Sequence, residues 1–225
     1  MPLESEQTGT VRGVLFDRDE TIAYTDPEVY REAAIWAAEQ FGLEPGQVGA
    51  ALRAQWASAD GWWTLRTEDD EQAFWKRYGE ELADRFGVPS ERIGPMLEQW
   101  PYQRYMKPVA GAREVLSQLK ARGLKIGVLS NTMPSIAVTL ETVGLHDLVD
   151  VAIATCTLGV HKPQPQAFVL AAALMELEPG ELLFVDDKQE NVDAARGVGM
   201  AALLIDLKGQ HQGAIHDLRA VLEHL

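Results

Sequence analysis

Cysteine is nearly absent from this chain of 225 residues, and Cys156 is its single thiol. No disulfide can therefore form within the chain, which is typical of proteins from reducing compartments. Positive charge is also scarce, because 20 Lys and Arg residues face 34 Asp and Glu residues and the formal net charge is −14. An acidic surface repels polyanions, so we expect neither nucleic acid nor a membrane as a partner.

Long hydrophobic runs are missing as well. No apolar run approaches the roughly 20 residues that span a bilayer, and Met1 to Thr10 contains no apolar stretch of signal-peptide length. We therefore expect a cytoplasmic protein. Hydrophobic residues still make up 46% of the chain, and its length suits one large domain or a core domain with a smaller second one.

The hydrophobic pattern changes character along the chain. From Pro27 to about Trp100, apolar residues recur at helical spacing, and glycine and proline divide the region into several helices. After Pro108, short apolar runs alternate with helical patterns. Strands are predicted at 11–16, 124–129, 149–154, 182–185 and 201–205, and helices near 111–121, 134–143, 164–176 and 189–196.

Apolar strands that alternate with helices favour a parallel sheet covered on both faces. Right-handed crossovers then favour a doubly wound arrangement. The first strand belongs to the same sheet, because an isolated strand cannot satisfy its backbone hydrogen bonds. We predict an α/β protein with a Rossmann-like core built from residues 1–22 and 106–225, and an all-helical cap domain inserted at 23–105.

Polar side chains follow the predicted strands at their carboxyl ends, where open parallel sheets bind ligands. The residues at these ends are Asp17, Asp19, Ser130, Asn131, Asp186 and Asp187, with Lys162 in a loop after the 149–154 strand. Each alone is usually a helix cap, a turn or a surface charge. Their coincidence at one end of one sheet predicts a site, and neighbouring carboxylates there favour a divalent cation such as Mg²⁺.

With these motifs the chain resembles the haloacid dehalogenase (HAD) superfamily of hydrolases, and more narrowly its phosphatase-like group with a helical cap after the first motif. The matching segments are Phe16–Thr21, Leu129–Asn131, Gly159–Pro163 and Phe184–Asn191. The resemblance covers nearly the whole chain. It implies a Mg²⁺-dependent phosphatase that acts on a small phosphorylated substrate, and it leaves the oligomeric state open.

The resemblance also implies roles for the site residues. Asp17 would be the nucleophile that forms an aspartyl-phosphate, and Asp19 would protonate the leaving alkoxide and then activate water. Ser130 and the backbone N–H of Asn131 would bind phosphoryl oxygens. Lys162 would neutralise charge on the nucleophile and on the transferring group.

Mg²⁺ would be held by Asp17, by the backbone carbonyl of Asp19 and by the fourth motif. There Asp187 is the preferred ligand, and Asp186 would lie beside it as a ligand or as its support. Both need not touch the metal, because adjacent strand residues point to opposite faces.

Three other functions stay open at this point. Phosphomutases of the group share all four motifs, and a non-catalytic binding module would normally lack Asp17 or Asp19. Haloacid dehalogenases share the nucleophile, but the resemblance implies that they lack an acid at Asp19, because halide leaves without a proton. Asp19 therefore favours phosphoester hydrolysis.

Several residues near the first motif and in the cap have no settled role. Arg18 is expected to contact a second anionic group of the substrate, to pin the cap, or to form a salt bridge to an acidic cap helix. Glu20 stands where many relatives carry glycine, and a side chain is tolerated there if φ stays negative. Its carboxylate is expected either to approach the cap or, in preference, to be solvated. One of Trp62 and Trp63 is expected to face the active site and to shape substrate choice.

Overall fold

The structure is a computed structural model that describes residues 10–225. The prediction that the chain has no signal peptide concerns Met1 to Thr10, and residues 1–9 lie outside the described part. Among the helices of residues 10–225, none is long and apolar enough to cross a membrane.

A five-stranded parallel sheet forms the centre of the described chain. In chain order the strands of the protein are β1 (Gly13–Phe16), β2 (Ala23–Thr25), β3 (Met106–Pro108), β4 (Lys125–Ser130), β5 (Val151–Ala154), β6 (Leu182–Asp186) and β7 (Ala201–Leu204). The sheet has the order β5-β4-β1-β6-β7. Because β1 lies in the middle, the residues after Phe16 emerge at the centre of the carboxyl edge, between the ends of β4 and β6.

Helices cover both faces of this sheet and also form most of the chain between β2 and β3. They are α1 (Pro27–Phe41), α2 (Pro45–Ser58), α3 (Glu68–Phe86), α4 (Ile93–Gln99), α5 (Ala112–Ala121), α6 (Ile136–Thr142), α7 (Thr155–Leu158), α8 (Pro165–Leu174) and α9 (Gln189–Gly197). Alternate residues of β1 enter different cores: Val14 and Phe16 pack on one face, and Leu15 packs on the other. The predicted α/β fold with a parallel Rossmann-like sheet is confirmed.

Helices α1 to α4 share a hydrophobic core of their own, which includes Ala33, Phe74, Leu82 and Ile93. Their ends follow the sequence. The side chain of Asp26 accepts a hydrogen bond from the Glu28 N–H at the start of α1, a standard N-cap, and other helix ends fall at glycines. These helices bury their apolar stripes mainly against one another, as a separate cap would.

The chain enters and leaves this helical region through a two-stranded antiparallel ladder that the sequence did not predict. In it, Ala23 of β2 pairs with Pro108 of β3, and Thr25 pairs with Met106. The predicted domain boundaries, between residues 22 and 23 and between 105 and 106, fall at the first residue of each strand. The division into domains at these positions stays a prediction.

Candidate active site

The carboxyl edge of the sheet brings Asp17, Lys162 and Asp186 into direct contact. The Lys162 Nζ lies 2.6 Å from Asp17 Oδ1 and 2.7 Å from Asp186 Oδ2. All three side chains are buried. Asp17 continues β1, with its N–H bonded to the Val185 carbonyl of β6, and Asp186 is the last residue of β6. One ammonium group therefore bridges two carboxylates from adjacent strands.

Burial dominates the electrostatics of this cluster. It raises the pKa of Asp17 to about 7, although the Lys162 ammonium opposes the shift. Burial alone would lower the pKa of Lys162, but the carboxylates of Asp17 and Asp186 outweigh it, and the pKa lies above its usual value. Lys162 is therefore charged at neutral pH, and it leaves part of the carboxylate charge uncompensated.

The loop that carries Lys162 is held by the side chain of Asn131. The Asn131 Nδ2 donates to the Lys162 carbonyl at 2.9 Å, and the Lys162 N–H donates to Asn131 Oδ1 at 3.0 Å. The Thr155 hydroxyl donates to the same Oδ1 at 2.8 Å. The sequence assigned Asn131 only a backbone role. Its side chain fixes the position of Lys162, and Thr155 contributes to this support without any signal in the sequence.

Asp186 and Asp187 are adjacent in sequence but differ in their partners. Asp186 accepts from the Lys188 N–H at 2.8 Å and from Asn191 Nδ2 at 2.9 Å, in addition to Lys162. The half-buried carboxylate of Asp187 accepts no hydrogen bond from residues 10–225. Burial, followed by the charge of Asp186, raises the pKa of Asp187. Asn191 lies in the fourth motif, and its role in holding Asp186 was not predicted.

The donor chemistry of this cluster fits a divalent cation. Carboxylate oxygens of Asp17, Asp186 and Asp187 lie within 4.8 Å of one another, the one such group found within residues 10–225. Hard oxygen donors suit Mg²⁺, and three carboxylates exceed the single positive charge of Lys162. The Asp19 side chain is not part of this group.

Asp19 instead pairs with its neighbour Arg18. Arg18 is 1% exposed, and its Nε and Nη2 donate to the Asp19 carboxylate at 3.2 and 2.9 Å. Its Nη2 also donates to the Tyr102 hydroxyl at 2.5 Å. The Ser130 hydroxyl lies 3.4 Å from Asp19 Oδ2. Of the alternatives for Arg18, no salt bridge to a cap helix forms within the described residues, and Tyr102 is its contact towards the helical region.

Glu20 does not keep a negative φ, since its φ is +54°. The chain turns sharply here, because the Arg18 carbonyl accepts the N–H groups of Ile22 and Ala23. Glycine adopts this left-handed conformation freely, whereas other residues pay about 1–2 kcal/mol. The negative φ that was set as the condition for a side chain here is therefore not met. The Glu20 carboxylate, 42% exposed, pairs with Lys208 at 3.0 Å.

A cavity of about 1340 Å³ opens beside these residues, between the carboxyl edge of the sheet and helices α1 to α4. Asp19 and Asn131 contribute to its wall, whereas Asp17 and Lys162 do not. Trp62 lines this cavity and Trp63 does not. The expectation that one of this tryptophan pair shapes substrate choice stays a prediction.

Similarity to curated proteins agrees with the motifs. A protein named as a phosphatase from Mycobacterium tuberculosis (strain CDC 1551 / Oshkosh) is 36% identical over 123 residues, which are 53% of this chain and 57% of that protein. A protein named phosphoglycolate phosphatase from Yersinia pestis is 28% identical over 198 residues, covering 84% of this chain and 78% of that protein. The similarity to the first spans little more than half of either chain.

Solved structures share the fold. A HAD phosphatase from Thermococcus onnurineus superposes with a TM-score of 0.65 at 21% identity, covering 95% of this chain and 97% of the other. A defluorinating L-2-haloacid dehalogenase superposes with a TM-score of 0.69 at 24% identity, covering 100% and 99%. The family model described as haloacid dehalogenase-like hydrolase matches residues 11–199. The predicted resemblance is thereby confirmed, and the chain belongs to the haloacid dehalogenase-like hydrolase family.

Proposed function

We propose that this hydrolase is a Mg²⁺-dependent phosphatase that acts on a phosphorylated metabolite through an aspartyl-phosphate on Asp17. The observation that carries the proposal is the contact of buried Asp17 with Lys162, in a group of three carboxylates. A second acid, Asp19, follows Asp17 two positions later. Relatives named as phosphatases support it. The single cysteine agrees with a cytoplasmic location, which is part of the proposal.

The residues of the site have complementary tasks in this reaction. The Asp17 carboxylate attacks phosphorus while the P–O bond to the leaving group breaks, and Asp19, in its protonated form, gives a proton to the departing alkoxide. Lys162 reduces the repulsion between Asp17 and the phosphoryl oxygens, and Ser130 is placed to donate to one of them. Asp19, now a carboxylate, takes a proton from the water that cleaves the aspartyl-phosphate.

Two carboxylates are free to hold the metal. Lys162 occupies only Oδ1 of Asp17, and Asp187 keeps both oxygens available, whereas Asp186 is occupied by Lys162, Asn191 and a backbone N–H. We assign Asp17 and Asp187 as direct ligands, with the Asp19 carbonyl as the third, and Asp186 as their support. Mg²⁺ bound there would offset the charge of the phosphoryl oxygens.

The first experiment is phosphate release from p-nitrophenyl phosphate and from a panel of phosphate esters. We expect hydrolysis with Mg²⁺ and none with excess EDTA. No release from any ester would contradict the phosphatase and favour a binding module. Conversion of a sugar phosphate into its isomer, stimulated by a bisphosphate, would favour a mutase. Halide release from a 2-haloacid without Mg²⁺ would favour a dehalogenase.

The affinity for Mg²⁺ is expected to decrease as the pH is lowered below about 7. Mg²⁺ would bind the Asp17 carboxylate, and with a pKa of about 7 this group is mostly protonated at lower pH. Affinity should therefore drop by up to about tenfold per pH unit below pH 7 and level off above it. Titration calorimetry between about pH 5.5 and pH 8 measures this. A flat profile below pH 7 would contradict the assignment of Asp17 as ligand.

A further inference from the structure

We propose that the substrate carries a bulky, uncharged apolar group, preferably a planar aromatic one, which occupies the cavity beside Asp19. The inference rests on the proposed phosphatase function. The acid that protonates the leaving group lies on the cavity wall, whereas the nucleophile does not. The leaving group therefore points away from Asp17 and into the cavity.

The large volume of the cavity and its apolar surface favour a bulky apolar group. Its volume of about 1340 Å³ exceeds the roughly 300–1000 Å³ usual for drug-sized ligands. Eight large hydrophobic side chains are exposed in the described part of the chain, and three of them, Ile35, Trp56 and Val138, line this one cavity. Apolar side chains gathered in this way gain from a ligand that covers them.

Aromatic rings line one wall of the cavity, and Trp56 is nearly parallel to two of them, although these two, Trp75 and Tyr102, are tilted by 31° to each other. The ring of Trp56 lies 15° from the plane of Trp75 and 18° from that of Tyr102, with centroids 6.3 and 5.7 Å away. These neighbours hold Trp56 in place. Tyr102 in turn accepts the hydrogen bond of Arg18, so the aromatic wall begins next to the Arg18–Asp19 pair. Flat rings arranged in this way favour a planar aromatic group.

The charges of the wall disfavour a second anionic group on the substrate. Five carboxylates and three arginines line the cavity. Arg18 is paired with Asp19, and Arg31 with Glu28, whereas Arg53 forms no ion pair within residues 10–225. The carboxylates on the wall still outnumber the arginines. Nε and Nη2 of Arg18 already donate to Asp19 and Tyr102, and Nη1 has no partner in the described part of the chain but is buried. Contact with a substrate anion, one of the alternatives for Arg18, would therefore compete with the bidentate pair or require Nη1 to become exposed.

A series of esters of primary alcohols tests the inference, because the leaving oxygen is chemically similar throughout. With Mg²⁺ present, kcat/KM for 2-(1-naphthyl)ethyl phosphate should exceed that for ethyl phosphate and for 2-phosphoglycolate by at least about tenfold, since even one methylene in an apolar pocket can be worth this much. Equal or higher kcat/KM for ethyl phosphate or 2-phosphoglycolate would overturn it.

Two cavity variants, each with a matched control, test whether the preference for the naphthyl ester arises in the cavity. Trp56→Ala should reduce the ratio of kcat/KM for the naphthyl ester over the ethyl ester by about tenfold, because an aromatic contact is lost. Trp63→Ala removes an equally exposed tryptophan outside the cavity and should leave the ratio unchanged. Ile35→Asn and its control Val169→Asn provide a second comparison if Trp56→Ala fails to fold. An unchanged ratio in the folded cavity variants would overturn the inference.

Binding measurements distinguish failure of the phosphatase proposal from failure of the apolar-substrate proposal. Calorimetry with the Mg²⁺-loaded protein and a non-hydrolysable naphthylethyl phosphonate measures the affinity of the cavity for the naphthyl group without turnover. Binding that is weakened in the cavity variants, with no hydrolysis of any ester, keeps the apolar ligand and rejects the phosphatase. Hydrolysis of p-nitrophenyl phosphate with no preference for the naphthyl group keeps the phosphatase and rejects the apolar substrate.

Discussion

Asn in place of Asp17 abolishes turnover and leaves the protein folded. The amide is almost the same size as the carboxylate, but it is a poor nucleophile and carries no charge for the metal. We expect kcat to fall by at least about 10⁴-fold, the scale seen when a nucleophile is removed. The fold persists because Lys162 keeps Asp186 as its partner at 2.7 Å. Initial rates with p-nitrophenyl phosphate and a thermal melt measure the two effects.

Asp193→Asn is the matched control, because it makes the same chemical change at a side chain 62% exposed on α9. Its rate should stay within about twofold of the unmodified protein, as for most surface substitutions. Retained activity of Asp17→Asn would remove Asp17 as the nucleophile. A melt that collapsed would instead show that Asp17 is needed for folding.

We expect Lys162→Met to abolish activity and to lower the free energy of unfolding. It leaves Asp17 and Asp186, which lie 2.6 and 2.7 Å from the ammonium, buried without a cation. Breaking a buried pair in this way costs about 3–5 kcal/mol. Denaturant unfolding in EDTA should show this loss. Mg²⁺ should stabilise the variant, since it restores positive charge beside Asp17.

Lys208→Met provides the comparison for stability. Its ion pair with Glu20 has a similar length, 3.0 Å, but both side chains are largely exposed. Exposed pairs contribute about 0–1 kcal/mol, so we expect a loss within that range. If Lys162→Met lost no more than Lys208→Met, Lys162 would not be the charge that holds the two aspartates together.

The central sheet was predictable because its strands are short and apolar, and its three inner strands, β4, β1 and β6, are almost wholly buried. β4 and β6 lie within one residue of their predicted bounds. β5 begins two residues later than predicted, at Val151, because the Val149 N–H is still bonded to the His146 carbonyl of the preceding turn. The apolar pattern continues through that turn, so the sequence alone does not mark its end.

The short ladder of β2 and β3 was not predictable. Each strand has three residues, and residues 26–105 separate them, so neither carries a turn signal for the other. The φ of Glu20 was missed for a related reason. The N–H groups that its loop delivers to the Arg18 carbonyl decide the turn, and that geometry is not visible in the residue type.

The candidate site was predictable as a set but not in its internal contacts. Parallel strands place their ends together, which is why Asp17, Asp186 and Asp187 meet as their positions suggested. Which of the last two is free for a metal depends on Asn191 of α9 and on Lys162 of the loop before α8. The Asn131 side chain likewise turns to the Lys162 backbone. The catalytic roles of these residues remain predictions.

Because β2 pairs with β3, the helical segment between them, residues 26–105, could be exchanged as a unit. Ala23 and Pro108 lie opposite each other, so the chain departs and returns at one point, and a short turn between these strands would close the remainder without redirecting β1 or β4. Exchange of this segment would replace most of the cavity wall while Asp17 and Lys162 keep their positions. We therefore expect substrate choice to change with the segment and the chemistry at Asp17 to stay with the sheet.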